Sequence, residues 1–175
     1  MTLEIFGETP RLKDEIKRLD EAIRRNPEEA SNYFDLADIF CWECMWLATS
    51  IDLVERGLEL DPGNVPYRWL AIDMHYRFPS PEPNAGHFKA LLAMNPWDAD
   101  ALFRYSYHCW QFTLEHRKAM QLLRSGRKAE VRITGKETHY RWYLKHYRET
   151  YWSEVAVDWS VPRKIWNFVW IFWLS

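Results

Sequence analysis

Apolar residues recur every three or four positions along much of this 175-residue chain, which is the spacing of one face of an α-helix. Three such stretches each run up to a proline. Their apolar positions are Leu12, Ile16, Leu19 and Ile23, then Leu47, Ile51, Val54 and Leu58, and finally Phe88, Leu91 and Leu92. The pattern therefore predicts three amphipathic helices that end just before the prolines.

The prolines themselves are evenly spaced. Pro27, Pro62 and Pro96 each follow Asn or Asp and lie 35 and 34 residues apart. Proline lacks a backbone N–H and disfavours helical geometry in the residue before it, so each junction predicts a helix end. The fixed φ of proline then suits the first turn of the next helix. A period in this range indicates stacked helical hairpins.

The helices predicted after the prolines each carry an apolar face whose third member is small. The faces are Tyr33, Leu36, Ala37 and Phe40, then Tyr67, Leu70, Ala71 and Met74, and then Leu102, Tyr105, Ser106 and Cys109. A small side chain at this place lets the partner helix approach closely. Each predicted hairpin therefore pairs one of these helices with the amphipathic helix that follows it.

These residues resemble the tetratricopeptide repeat family, whose motif combines an aromatic, a leucine and small residues at set places in each hairpin. The matching positions are Tyr33, Leu36 and Ala37, then Tyr67, Leu70 and Ala71, and the small residues Ala22, Ser50 and Gly57. The resemblance covers roughly residues 11–112 and implies a solenoid of about three hairpins. It also implies protein–protein binding on the concave face of the first helices. The polar residues expected there are Asn32, Asp35, Asp38, Arg68 and Arg104.

Two features depart from the family's pattern. Residues 78–86 place three prolines between the helices of one repeat, and Leu102 stands where the family has an aromatic residue. Alpha subunits of protein prenyltransferases also stack helical hairpins, and Tyr67-Arg68-Trp69 is similar to their Trp- and Arg-containing repeats. Their Trp-x-x-Arg spacing is absent here. The tetratricopeptide-like interpretation is therefore preferred.

The pattern changes in the last third of the chain. A helix is predicted up to Gly126, and residues 129–135 then alternate apolar and polar side chains as a short strand does. Residues 155–161 alternate in the same way and would complete a β-hairpin. A helix is predicted between them, with Tyr140, Leu144, Tyr147 and Tyr151 on one face. The overall prediction is a mostly α-helical protein with tetratricopeptide-like repeats over residues 1–112 and a basic, aromatic extension over residues 113–175.

The chain ends in RKIWNFVWIFWLS, in which two bases precede an almost continuous apolar run. As a helix the run is about 15 Å long, half of what a bilayer core requires. Three alternatives remain open: the segment covers the apolar end of the solenoid, fills a groove on a partner protein, or lies at a membrane interface. The residues expected to anchor it to a partner or a membrane are Arg163, Lys164, Trp166, Trp170 and Trp173.

The chain is rich in aromatic residues, and its charged residues are unevenly distributed along the sequence. The chain holds 11 Trp, 9 Tyr and 9 Phe, and large rings are favoured at interfaces. Residues 1–60 contain 14 acidic and 7 basic side chains, whereas residues 101–175 contain 6 acidic and 13 basic ones. This asymmetry indicates an acidic or anionic neighbour for the C-terminal part. Because residues 124–152 interleave bases with Tyr and Trp, an RNA-associated subunit is the alternative function.

The cysteine count and the N-terminus bear on location. Three cysteines do not form a disulfide framework, and the acidic start of the chain is not a secretory signal. Both features favour an intracellular, reducing compartment. In that setting the chain would be peripheral to an organelle or cell membrane.

Candidate catalytic and metal-binding motifs are weak. Cys41 and Cys44 form one CxxC with no second pair, and His108 and His116 lack the spacing of a ligand motif. His139 and His146 share a helix face with bases around them. We therefore expect no catalytic residues, no metal and no cofactor. The predicted function is a non-catalytic interaction or assembly subunit of a larger, membrane-associated complex.

Overall fold

The computed structural model describes residues 10–77, 83–155 and 160–174, which form helices joined by short turns. Within these ranges there are nine α-helices and no strand. The helices are α1 (Pro10–Arg25), α2 (Ala30–Trp42), α3 (Leu47–Leu60), α4 (Val65–Arg77), α5 (Asn84–Met94), α6 (Ala99–Gln111), α7 (His116–Thr134), α8 (Thr138–Thr150) and α9 (Val161–Val169). Single π-helical turns, Tyr151–Val155 and Trp170–Leu174, extend α8 and α9. The predicted mostly α-helical fold is confirmed.

The chain forms two compact units, Met1–His87 and Phe88–Ser175. In the first unit α2 packs against α1 and α3, and α3 packs against α4. Its main core consists of Phe34, Ala37, Cys41, Val54, Leu58, Ala71 and Met74. The second unit is built around α6 and α7, on which α8 and the π-helical turn after α9 pack.

The same hairpin geometry appears in both units. In the turn between α2 and α3, Met45 has a φ of 56°, and in the turn between α6 and α7, Leu114 has a φ of 55°. In α3, Gly57 faces the ring of Phe34, which a Cβ atom would overlap. Two repeats later, in α7, a Cβ at Gly126 would lie 2.7 Å from the ring of Phe103. The periodicity read from the prolines is therefore also present in the packing.

The predicted β-hairpin is wrong for the residues that the structure describes. Helix α7 runs without interruption through Gly126 to Thr134 and ends at Gly135, whose φ of 69° is left-handed. The alternating residues Val131 and Ile133 are exposed, so no sheet face is formed. Residues 156–159 of the second expected strand lie outside the described residues, as do residues 78–82 of the proline-rich linker. The helix predicted between the two expected strands is confirmed as α8.

Candidate functional site

The residues predicted to bind a partner do not all lie at the surface. On α2, Asp35 is exposed, whereas Asn32 and Asp38 are half-buried. The Asp38 carboxylate accepts a hydrogen bond from the Tyr67 hydroxyl at 3.4 Å. Burial raises the pKa of Asp38, and the Tyr67 hydrogen bond offsets part of that effect. These three residues form an acidic and amide-bearing strip in the first unit, which we call the α2 strip.

The two predicted arginines have different surroundings. Arg68 is buried, and its guanidinium donates to the Pro62 carbonyl at 2.6 Å and lies 3.3 Å from His87 Nδ1. Its side chain is therefore engaged inside the first unit, and we do not include it in a docking surface. Arg104 is half-buried on α6, in the second unit.

The C-terminal segment folds back onto the second unit. The Phe168 and Phe172 rings lie 5.4 and 5.8 Å from the ring of Tyr151, and Phe172 also lies 5.7 Å from Trp110. The Phe172 carbonyl accepts a hydrogen bond from Arg124 at 3.0 Å. Ile171 and Phe172 are buried. One face of this segment therefore covers the buried aromatic core of the second unit.

The opposite face of the same segment stays in solvent. The exposed fractions of Ile165, Trp166 and Trp173 are 54%, 63% and 69%. The half-buried Trp170 links the two faces: its ring lies 6.3 Å from Trp166, and the Arg117 guanidinium sits 4.5 Å above it. We call Ile165, Trp166, Trp170, Trp173 and Arg117 the tryptophan face. The sequence prediction named its three tryptophans and missed Arg117, which lies on α7 and has no sequence link to the tail.

The basic stretch 124–152 is partly engaged by the protein's own groups. Arg127 donates to Glu137 at 2.6 Å, and Arg141 lies 3.7 Å from the same carboxylate. Lys145 lies 3.8 Å from Glu149. These ion pairs reduce the number of Lys and Arg side chains that are available to neutralise the phosphates of a nucleic acid.

A buried polar cluster in the first unit was not predicted. Glu55 of α3 accepts hydrogen bonds from His75 of α4 and His87 of α5, and Arg68 of α4 touches His87. The three helices bring together residues that no short motif connects. The sequence offered no ligand spacing for them, which is why motif reading passed over them.

The cysteines and histidines singled out in the sequence are not members of this cluster. Cys41 is buried and Cys44 half-buried, and neither forms a disulfide bond. His108 is buried against the rings of Phe88 and Phe112. His139 contacts Glu130 at 2.9 Å, and His146 contacts Gln111 at 3.1 Å. Within the described residues, only Glu55, His75 and His87 form a group of three that a metal ion would fit.

Comparison with known proteins supports the fold. No protein-family model and no curated protein sequence matches the chain. Among solved structures, two crystal structures of MamA are similar to it at 12% sequence identity. The match to the first has a TM-score of 0.57 and covers 86% of this chain and 88% of the MamA chain. The match to the second has a TM-score of 0.56 and covers 89% of this chain and 99% of the MamA chain. This likeness supports a tetratricopeptide-like helical repeat fold. In the part of the chain that the structure describes, no helix has the length and apolarity to cross a bilayer.

Proposed function

We propose that this chain is a non-catalytic assembly subunit of a larger complex and that it binds a partner protein through the tryptophan face. The observation that carries the proposal is the two-sided C-terminal segment. Its inner side supplies buried rings to the second unit, and its outer side leaves Trp166 and Trp173 largely exposed. Exposed apolar patches of this kind mark interaction sites, because water contact at large rings is unfavourable.

The composition of the face favours a protein partner. Trp and Arg are the residue types most enriched among those that dominate binding energy at protein interfaces. The stacked Trp166 and Trp170 rings and the Arg117 guanidinium above Trp170 form a surface that is both apolar and charged. The excess of basic residues in this part of the chain favours a partner with acidic residues around an apolar centre.

The α2 strip is proposed as a second docking surface, in the first unit. Asp35 is exposed there, and Asn32 and Asp38 lie beside it in the helix. In repeat proteins of this fold class, first helices present residues to partners. A subunit with one acidic and one basic docking surface would join two different neighbours within a complex.

Site-specific photo-crosslinking in the producing cells tests the proposal. A photoreactive amino acid is placed at Trp166 or Trp173, and as controls at the exposed positions Lys89 and Lys128. We expect one discrete protein adduct from the tryptophan positions and none from the controls. Equal adducts at all four positions, or none, would overturn it. Lipid adducts, with flotation of the purified chain on anionic liposomes, would identify a membrane surface instead.

A further inference from the structure

Glu55, His75 and His87, all residues of the first unit, converge from helices α3, α4 and α5. Glu55 Oε1 lies 3.1 Å from His75 Nε2 and 2.8 Å from His87 Nε2. The two imidazole rings are 5.7 Å apart. Both histidine side chains are 7% exposed, whereas the Glu55 side chain is 40% exposed. The cluster is therefore closed on the histidine side and open to solvent on the carboxylate side.

We propose that these three side chains bind a divalent transition-metal ion of the zinc type. Two imidazoles and one carboxylate are a known protein ligand set for zinc, in which the fourth position holds water. The ligand atoms all lie within 4.8 Å of one another. With bonds of about 2.0–2.1 Å in tetrahedral geometry, ligand atoms are separated by roughly 3.3 Å. Only small movements are needed to reach that arrangement, and the exposed side of Glu55 offers the ion a route in.

Arg68 determines which nitrogen of His87 carries the proton before the ion binds. A guanidinium can only donate, so His87 Nδ1, 3.3 Å from Arg68 Nη1, acts as the acceptor. His87 therefore carries its proton on Nε2 and donates it to Glu55. A metal at Nε2 requires that this proton leave and that Nδ1 be protonated from solvent, so the neutral imidazole exchanges one N–H for another without net proton release.

Once His87 Nδ1 is protonated, its N–H group would point at an N–H group of the Arg68 guanidinium, and neither nitrogen could accept a hydrogen bond. Arg68 Nη1 must then turn away, while the bond from Nη2 to the Pro62 carbonyl is retained. Arg68 thus opposes metal binding in the wild-type chain. A glutamine in its place offers a carbonyl that accepts from Nδ1–H, as the outer partners of metal-bound histidines do. The cluster therefore contains both a metal site and a competitor for it.

Metal titration of the full chain tests this inference, independently of any partner. The chain is freed of metal with a chelator and titrated with Zn²⁺ by calorimetry and with Co²⁺ by absorption. We expect one equivalent to bind, with the visible absorption of tetrahedral Co²⁺ and without sulfur-to-metal charge transfer. That charge transfer would instead assign the ion to Cys41, Cys44 or Cys109 and overturn the proposal. Burial raises the pKa of the Cys109 thiol to about 11, which disfavours its metal-binding thiolate.

Variants decide which residues hold the ion. Glu55→Gln keeps an oxygen that accepts both imidazole N–H groups, so its helices should stay packed while the equivalent of metal is lost. The matched control is Glu59→Gln, on the next turn of α3, where the carboxylate is exposed and pairs with Arg56. His75→Gln serves as a second ligand variant. Wild-type binding by Glu55→Gln and His75→Gln, or no binding by the wild type, would overturn the site.

Arg68→Gln tests the competition directly. Losing a supporting outer partner of a metal ligand typically costs about 10–100-fold in affinity, so outer contacts act on this scale. Here we expect affinity for Zn²⁺ to rise by about tenfold or more, because the competing donor is replaced by an acceptor. Zn²⁺ should also raise the melting temperature of the wild type and of Glu59→Gln, but not that of Glu55→Gln. Weaker binding by Arg68→Gln would contradict the role of Arg68 as a competitor.

Discussion

At the scale of single residues, close approach of helices depends on two glycines. Gly57 and Gly126 lie in equivalent places of their hairpins, and each faces the ring of a phenylalanine on the preceding helix. The tetratricopeptide-like sequence pattern includes a small residue at Gly57, but it does not predict which side chain packs against that glycine. The structure supplies the answer, which is the Phe34 ring.

Substituting Gly57 by alanine should destabilise the chain, because its Cβ would overlap the Phe34 ring in a filled core. We expect a loss of about 1–3 kcal/mol in the free energy of unfolding. The matched control is Gly86→Ala in α5, where an added Cβ has no described atom within 4 Å. Because alanine has a higher helix propensity than glycine, Gly86→Ala should stabilise the chain by up to about 1 kcal/mol. Urea unfolding followed by circular dichroism measures both, and equal effects would contradict the packing argument.

A second residue-scale prediction concerns the indole of Trp110. This buried side chain stacks on Tyr147 at 4.4 Å and donates from Nε1 to Thr150 Oγ1 at 2.9 Å. Thr150→Val keeps the shape but removes the acceptor, so the buried N–H loses its partner at a cost of about 1–3 kcal/mol. Thr113→Val, at an exposed threonine, should change the free energy of unfolding by less than about 0.5 kcal/mol. A neutral Thr150→Val would show that the hydrogen bond contributes nothing to stability.

At the scale of helices, hydrogen bonds to the carboxylate of Glu130 link α7 to α8. Glu130, buried on α7, accepts hydrogen bonds from the backbone N–H groups of His139 and Tyr140 in the first turn of α8. It thereby satisfies donors that a helix N-terminus leaves without partners. Burial raises the pKa of Glu130, but these backbone bonds and the His139 contact outweigh burial, and the pKa lies below its ordinary value.

This lowered pKa predicts a pH dependence. The unfolded carboxyl titrates near the ordinary value of 4.5, so Glu130 contributes its full stabilisation above that pH. The contribution is lost as pH falls below 4.5 and through the folded-state pKa. At pH 7, Glu130→Gln should cost about 1–2 kcal/mol, and the difference from wild type should shrink as pH falls below 4.5. Glu137→Gln, at a more exposed ion pair, should cost under about 1 kcal/mol. A pH-independent deficit in Glu130→Gln would contradict the assignment.

The buried and exposed sides of the C-terminal segment should contribute differently to the stability of the chain. A chain ending at Val161 loses the rings of Phe168 and Phe172 that cover Tyr151 and Trp110. Losing a buried aromatic side chain typically costs about 3–5 kcal/mol, so the truncated chain should melt at a clearly lower temperature. The double variant Trp166→Ser, Trp173→Ser should melt close to wild type, because both side chains are mostly exposed. Equal melting of all three chains would mean that the segment does not cover the core.

At the scale of the whole chain, periodic features were predictable and long-range ones were not. The prolines and the apolar spacing gave the three hairpins, since both act locally. Helix α7 was partly mispredicted because residues 129–135 alternate like a strand, whereas Ala129 and Glu130 are the ones buried. The Glu55, His75 and His87 cluster was missed because its members meet only through packing of three helices. The tail tryptophans could be singled out from the sequence, and their role as an anchor stays a prediction. The division between inner and outer sides depends on Trp110 and Tyr151, which lie far from them in sequence.

On our proposal, the exposed side of the C-terminal segment holds this chain in a protein complex. To test this, the chain is purified under native conditions from cells that make it, as wild type and as the Trp166→Ser, Trp173→Ser variant. The size-exclusion profiles of the two chains are then compared. We expect the wild type to elute in a stoichiometric complex and the variant to elute alone with an unchanged helical spectrum. Elution of both chains in the same complex, or of the wild type as a free monomer, would contradict it.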